Sequence, residues 1–251
     1  MLNLDLFFFC VAGPAVIFAG VSKAGFGSGA AFASASILAL VVPPELALGI
    51  MLPLLMLIDV SSLKPYWGKW SAPDAKLLIL GGLPGIVAGI LLYRVASPDL
   101  LRVMIGSVSV AFVFWQVALA TGIVRMAKTR MPDGAGFFFG TLTGFTTFIS
   151  HAGGPPAAFF LLSRGLSKTQ FQATTVIVFW VLNIVKFLPY AVLGMFTMQT
   201  FLANIVLAPF ALFGTWMGVR AHVLVPERLF FTLTYVLLMV TGGKLIWDGL
   251  T

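Results

Sequence analysis

The chain is a succession of long apolar runs separated by short polar turns. Leu46 to Leu63, Leu77 to Tyr93, about Gln170 to Leu188, and Phe201 to Val219 each approach the roughly 20 residues that carry a helix across a hydrocarbon layer of about 30 Å, so each predicts a membrane span. Two more helices start where a proline and an acid fall in a first turn: Ser97-Pro98-Asp99, running to about Val124, and Pro226-Glu227, running to near Trp247. Two regions break the pattern. Leu6 to Gly20 is a short run interrupted by Gly13-Pro14; the glycine-rich stretch Ser22 to Gly29 follows, and Ala30 to Val42 returns until Pro43-Pro44. Phe137 to Phe148 and Ala157 to Leu162 flank Ile149-Ser150-His151-Ala152-Gly153-Gly154-Pro155-Pro156, where glycine and proline interrupt a helix and leave backbone groups without helical partners. In lipid such a break survives only inside protein or beside a cavity. Each region predicts a hairpin that enters the membrane and turns back, with two thin full spans as the alternative.

The second half repeats the first in outline. Gly85-x-x-x-Gly89 is matched by Gly214-x-x-x-Gly218, Pro98-Asp99 by Pro226-Glu227, and Asp59 precedes Pro65-Tyr66 by the interval at which Asn183 precedes Pro189-Tyr190. A hairpin plus three spans, or five spans if the hairpin crosses fully, is an odd number of crossings. The two halves therefore sit upside down relative to each other, as in many secondary transporters. The predicted fold class is all-α: a polytopic membrane protein of two inverted-topology repeats, residues 1–124 and 136–251, joined by a cytoplasmic linker at 125–135 into one integral membrane domain.

Composition agrees. Hydrophobic residues make up 60% of the chain and charged ones 9%, and the mean hydropathy is +1.06, far from the balance of a soluble domain. The net charge of +7 is scattered singly between apolar runs, which points to topology and away from nucleic acid. The span count puts Lys64, Lys69, Lys76, Arg125, Lys128, Arg130, Arg164, Lys168, Arg220 and Arg228 on one face, and Arg94, Arg102 and Lys244 on the other. The richer face is then cytoplasmic and both termini lie outside, in a multi-pass protein of a bacterial-type inner membrane. A lone cysteine excludes an internal disulfide, two histidines leave little for a metal, and no cofactor is expected. No basic region precedes the first run and no small-residue cleavage pattern follows it, so a removed signal peptide is not expected.

The ionisable residues inside apolar runs are the candidates for chemistry. Lys23 lies in the first break and attracts an anion, or snorkels from a shallower turn. His151, beside Ser150 in the second break, donates to an anion or carries a proton, or simply caps a broken helix. Gly25, Gly27, Gly29, Gly153 and Gly154, with Ser28, let backbone amides close round a ligand or let helices pack tightly. Asp59, Ser62 and Tyr66 share a helical face, and Asn183, Lys186 and Tyr190 occupy the matching positions, so the two stripes predict facing walls of one cavity. Asp59 there binds a proton or pairs with a lysine, Lys186 being the structural alternative. Thr174 and Thr175 add hydroxyls to the wall or bond back to their own helix.

Gly25-Phe26-Gly27-Ser28-Gly29 followed by Ala47-Leu48-Gly49, and Ser150-His151-Ala152-Gly153-Gly154-Pro155-Pro156 followed by Gln172-Ala173-Thr174-Thr175, resemble the TauE/SafE sulfite exporters in two copies over nearly the whole chain. Gly27-Ser28-Gly29 and Gly153-Gly154-Pro155 depart from the family's commoner glycine triplet. The resemblance implies a transporter of sulfite, sulfoacetate, thiosulfate or a related organosulfonate. The expected function is secondary export of such an anion from a site between the breaks, coupled to a proton or sodium ion, with Asp59 or His151 as the proton carrier. A passive channel and an intramembrane enzyme using Ser150 and His151 are the alternatives.

Overall fold

The computed structural model describes residues 5–26, 30–123, 130–224 and 227–251, with the backbone alone for Phe26 and for the described part of 221–230. Among the described residues there are helices and turns and no strand. The helices are α1 (Leu6–Val21), continued by a π-helical turn (Ser22–Phe26), α2 (Ala33–Leu38), α3 (Pro44–Tyr66), α4 (Ala72–Val95), α5 (Pro98–Ala120), α6 (Asp133–Ser150), α7 (Gly154–Ser163), α8 (Lys168–Val192), α9 (Met198–Leu224) and α10 (Glu227–Leu250). Seven segments among the described residues are long and apolar enough to span a membrane: α1 with its π turn, α3, α4, α5, α8, α9 and α10.

The first arms of both hairpins are longer than the apolar runs suggest. Pro14 sits inside α1 without ending it, so one helix runs from its Asp5 cap, which accepts from the Phe8 amide at 2.8 Å, to Val21. Likewise α6 begins at Asp133, behind Pro132, well before Phe137. The second arms are short. The α6–α7 hairpin starts and ends on one face, because the Arg164 guanidinium at the end of α7 donates to the Met131 carbonyl at 2.7 Å and to Asp133 at 2.8 Å. Asp74 lies in the first turn of α4, buried against Arg164 at 2.7 Å.

Glycines set the closest helix contacts. Gly81 and Gly85 of α4 lie against the Phe137 and Thr141 carbonyls of α6, and Gly144 of α6 lies against the Gly82 carbonyl of α4. On the other side Gly214 of α9 meets the Ile17 carbonyl of α1, and a Cβ on Gly20 would stand 2.9 Å from the Ala211 carbonyl. In lipid, with no hydrophobic drive between helices, close backbone approach through small residues supplies the van der Waals contact. The arrangement is crossed: α1 of the first half packs on α9 of the second, and α4 of the first on α6 of the second. α3 also packs on α8 and α5 on α10, helices that the sequence pattern predicts to correspond. The α3–α8 contact carries the polar centre.

Candidate functional site

The π-helical turn after α1 places Lys23. A π turn widens the helix by one residue and turns a side chain out of register, a feature often found at functional positions. Here it directs Lys23, 5% exposed, to Asp59 in the middle of α3, with Nζ 2.5 Å from Oδ1. The other carboxylate oxygen, Oδ2, accepts from Asn183 Nδ2 of α8 at 2.8 Å, across 124 positions of chain. Gln172 of α8 holds the same turn by donating to the Lys23 carbonyl at 2.8 Å, and the Phe179 ring lies 5.8 Å from Nζ.

The second break contributes through His151. This residue ends α6 in the left-handed region, at φ 57°, which a residue other than glycine seldom adopts. Its amide still donates to the Thr147 carbonyl and its ring is pinned on both sides: Nε2 lies 3.2 Å from the Leu48 carbonyl of α3, and Nδ1 lies 3.2 Å from Lys186 Nζ of α8. Lys186 also donates to the Thr147 carbonyl and to Thr147 Oγ1, both at 3.0 Å. Tyr190, one turn further along α8, donates to the Phe148 carbonyl at 2.5 Å and meets the Phe148 ring edge-on.

Between these groups lies a pocket lined by Lys23, Ala31, Leu55, Thr147, His151, Phe179 and Asn183. It is partly open, and its room amounts to about one water molecule. Lys186 stands directly behind Thr147 and His151. The side chains of one aspartate and two lysines are therefore buried around a single small space.

A family model, Sulfite exporter TauE/SafE, matches residues 12–245. The chain belongs to the TauE/SafE sulfite exporter family. No curated protein and no solved structure matches it. Membership makes this a membrane transport protein of a sulfur-anion exporter family, in keeping with its seven apolar spans.

Against this TauE/SafE architecture the expected site residues divide. Lys23, Asp59, His151, Asn183 and Lys186 come together. Asp59 pairs with Lys23, not Lys186, so the ion pair considered between Asp59 and Lys186 is not the one formed. Ser62 is buried and its hydroxyl has no hydrogen-bond partner among the described residues, whereas Tyr66 lies half-exposed at the end of α3, away from the cluster. Thr174 and Thr175 bond back into α8, to the Gln170 carbonyl at 2.6 Å and the Gln172 carbonyl at 2.8 Å; Thr174 also accepts from the Ser71 amide at 2.9 Å. Gly25 and Gly153 are packing positions, because a Cβ would stand 2.5 Å from the Gly218 carbonyl or 2.8 Å from the Thr147 and Phe179 side chains. Gly154 opens α7, but Pro155 and Pro156 behind it carry no N–H, which thins the row of free amides at that helix start. Gly27, Ser28 and Gly29 lie outside the described residues. Ser150 Oγ donates to the Thr146 carbonyl at 2.9 Å while both His151 ring nitrogens are engaged elsewhere, so the two form no nucleophile–base pair.

Thr147, Phe179 and the Leu48 carbonyl were not singled out from the sequence. Thr147 had a signal: it follows Lys23 by the interval that separates Asp59 from Asn183. Lys23 and Thr147 thus stand at corresponding positions of the sequence, although their partners, Asp59 and Lys186, do not correspond. Phe179 and Leu48 had none, being ordinary apolar residues of long apolar runs.

Proposed function

We propose that this TauE/SafE protein is a secondary transporter that exports a small sulfur-containing anion, sulfite, sulfoacetate or another organosulfonate, bound near the membrane midplane between the halves. The observation that carries the reading is a charge imbalance. Lys23, 5% exposed, lines the pocket and Lys186, 0% exposed, stands one hydrogen bond behind its Thr147 and His151 wall, while the one carboxylate beside them is Asp59. Buried charge in a membrane is costly unless paired or wet, and an incoming anion is the natural partner for the surplus. The crossed pairing of α1 with α9 and of α4 with α6 supports two inverted repeats, 1–124 and 136–251, rocking about the α3–α8 contact. The loop charges support both termini outside an inner membrane. The engagement of Ser150 and His151 in separate hydrogen bonds supports transport over catalysis.

The test is thermal unfolding of the purified protein with sulfite, sulfoacetate, taurine, thiosulfate and sulfate, followed by flux in proteoliposomes. A ligand that binds the folded state raises its unfolding temperature with concentration. Stabilisation by at least one sulfur anion, with saturable flux of the same anion, is expected. Absence of both overturns the proposal, and flux linear in anion concentration replaces the carrier with a channel.

A further inference from the structure

The two buried lysines are not equivalent. Lys23 stands 2.5 Å from Asp59, whose other oxygen is taken by Asn183, so the Lys23–Asp59–Asn183 group is closed and carries no net charge. Lys186 is surrounded by neutral acceptors alone: the Thr147 carbonyl, Thr147 Oγ1 and His151 Nδ1. Three acceptors match the three N–H bonds of an ammonium group. Since Nδ1 accepts, the proton of neutral His151 sits on Nε2 and points to the Leu48 carbonyl. A second proton on the ring would set N–H against N–H, so Lys186 and His151 hold at most one excess proton between them. The other charged or titratable groups facing this pair are Lys23 from the π turn, Asp59 from α3, and Tyr190 from α8, whose ring lies 5.9 Å from Lys186 Nζ and whose hydroxyl is bonded to Phe148.

We infer that Lys186, cradled by Thr147 and His151, supplies the positive charge that binds the anion, and that Lys23 is a positioning residue whose charge Asp59 already neutralises. This rests on the anion-transport reading and assigns the two lysines different roles within it. Thr147 and His151 line the pocket with Lys186 one hydrogen bond behind them, so an entering oxyanion replaces His151 Nδ1 or Thr147 Oγ1 as acceptor at Nζ. The displaced threonine hydroxyl is then free to donate to the same anion. The single excess proton belongs to the Lys186–His151 pair, and Asp59, ion-paired through Oδ1 and accepting from Asn183 at Oδ2, is left with the structural role.

The experiment is a set of dissociation constants for sulfite and for sulfoacetate, whose charge does not change near neutral pH, on purified full-length variants. Lys186→Met is expected to weaken sulfoacetate binding about 30-fold, the scale of one lost charge-assisted hydrogen bond. Lys23→Met also weakens it, because Asp59 is left as a bare carboxylate beside the anion. Adding Asp59→Leu to Lys23→Met restores most of that loss. The inference is overturned if Lys186→Met binds within about threefold of wild type, or if the Lys23→Met/Asp59→Leu protein is folded and binds no better than Lys23→Met alone. Should Lys186→Met fail to fold, Thr147→Val and His151→Gln, whose amide reaches the Leu48 carbonyl and leaves a methylene near the place of Nδ1, take its place. Each removes an acceptor that holds Lys186, and wild-type affinity in both overturns the cradle. A wild-type protein that binds neither anion fails the transport reading itself, whereas binding that survives these changes fails only the assignment of charge.

Discussion

At the scale of residues, Asp59 and Asn183 occupy matching positions of the two halves and meet face to face. Such self-matched positions cannot both be acids. One cation, Lys23, serves the pair, and a second carboxylate at 183 would lie against Asp59 with no donor between them. Asn183→Asp is therefore expected to destabilise the protein by about 3 kcal/mol, because two carboxylates would meet where an amide now donates to Asp59 Oδ2. Asn183→Leu, which only leaves Oδ2 without its donor, is expected to cost about half of that. Thermal unfolding of the two variants in detergent ranks them, and an Asp variant as stable as the Leu variant refutes the account. The ionisable members of this cluster were legible in the sequence, since a lysine, aspartate or histidine inside an apolar run stands out. Their pairing was not. Lys23 and Lys186 are both able to reach Asp59 on linear grounds, and only the π turn after α1 decides which does. The glycines misled in part: Gly25 and Gly153 look like ligand-closing positions, but a neighbouring backbone or side chain occupies the space a Cβ would need.

At the scale of elements, helix contacts depend on single hydrogen atoms. Gly85 has the Thr141 carbonyl and Phe145 amide where a Cβ would go, and Gly214 has the Ile17 carbonyl, so both helices would have to part for an alanine. Gly243 of α10 has nothing within 4 Å of the same position. Gly85→Ala is expected to lower stability by about 2 kcal/mol through overpacking. Gly243→Ala is expected to be neutral or slightly stabilising through helix propensity. Equal unfolding temperatures for these two variants would contradict the packing. The spans were legible because length and apolarity alone define them, and the glycine pairs because their spacing repeats. Helix starts were read unevenly. Ser97-Pro98-Asp99 predicts a start, and the Ser97 hydroxyl does accept from the Leu100 amide at 3.1 Å. Ser71-Ala72-Pro73-Asp74 carries the same signal but was obscured by the lysines around it. Pro14 reads as an interruption, yet α1 passes through it, with α9 and α2 packed against the helix.

At the scale of the whole molecule, the halves differ most at their ends. Arg164, its side chain 3% exposed, binds Asp74 of α4, the Met131 carbonyl and Asp133 at the start of α6, and stacks 5.2 Å from the Phe160 ring. Asp74 also accepts from Ser71 Oγ at 2.6 Å, and the Ser71 amide is bonded to Thr174 of α8. This group ties together α4, α6, α7 and α8 on the face with more basic loops. The interval that relates Asp59 to Asn183 takes Arg164 to Leu40 and Asp133 to Phe9, and the interval that relates Gly85 to Gly214 takes Asp74 to Ala203. The matching end of the other half is therefore apolar, with Ala203 in a cluster that includes Leu38, Val42 and Leu207. A rocking motion about α3–α8 would have to break an ionic group on one face and slide an apolar one on the other, and the ionic group is the harder to reseal in water. Arg164→Gln, which leaves Asp74 buried without its cation, is expected to shift the protein toward a form open on the basic face. A cysteine at Thr147, in a Cys10→Ser background, reads this directly: its modification by a water-soluble thiol reagent applied from the basic face should rise several-fold when Arg164→Gln is added. Unchanged labelling of a folded Arg164→Gln protein would mean that Arg164 fastens helices together without closing the pathway to the pocket.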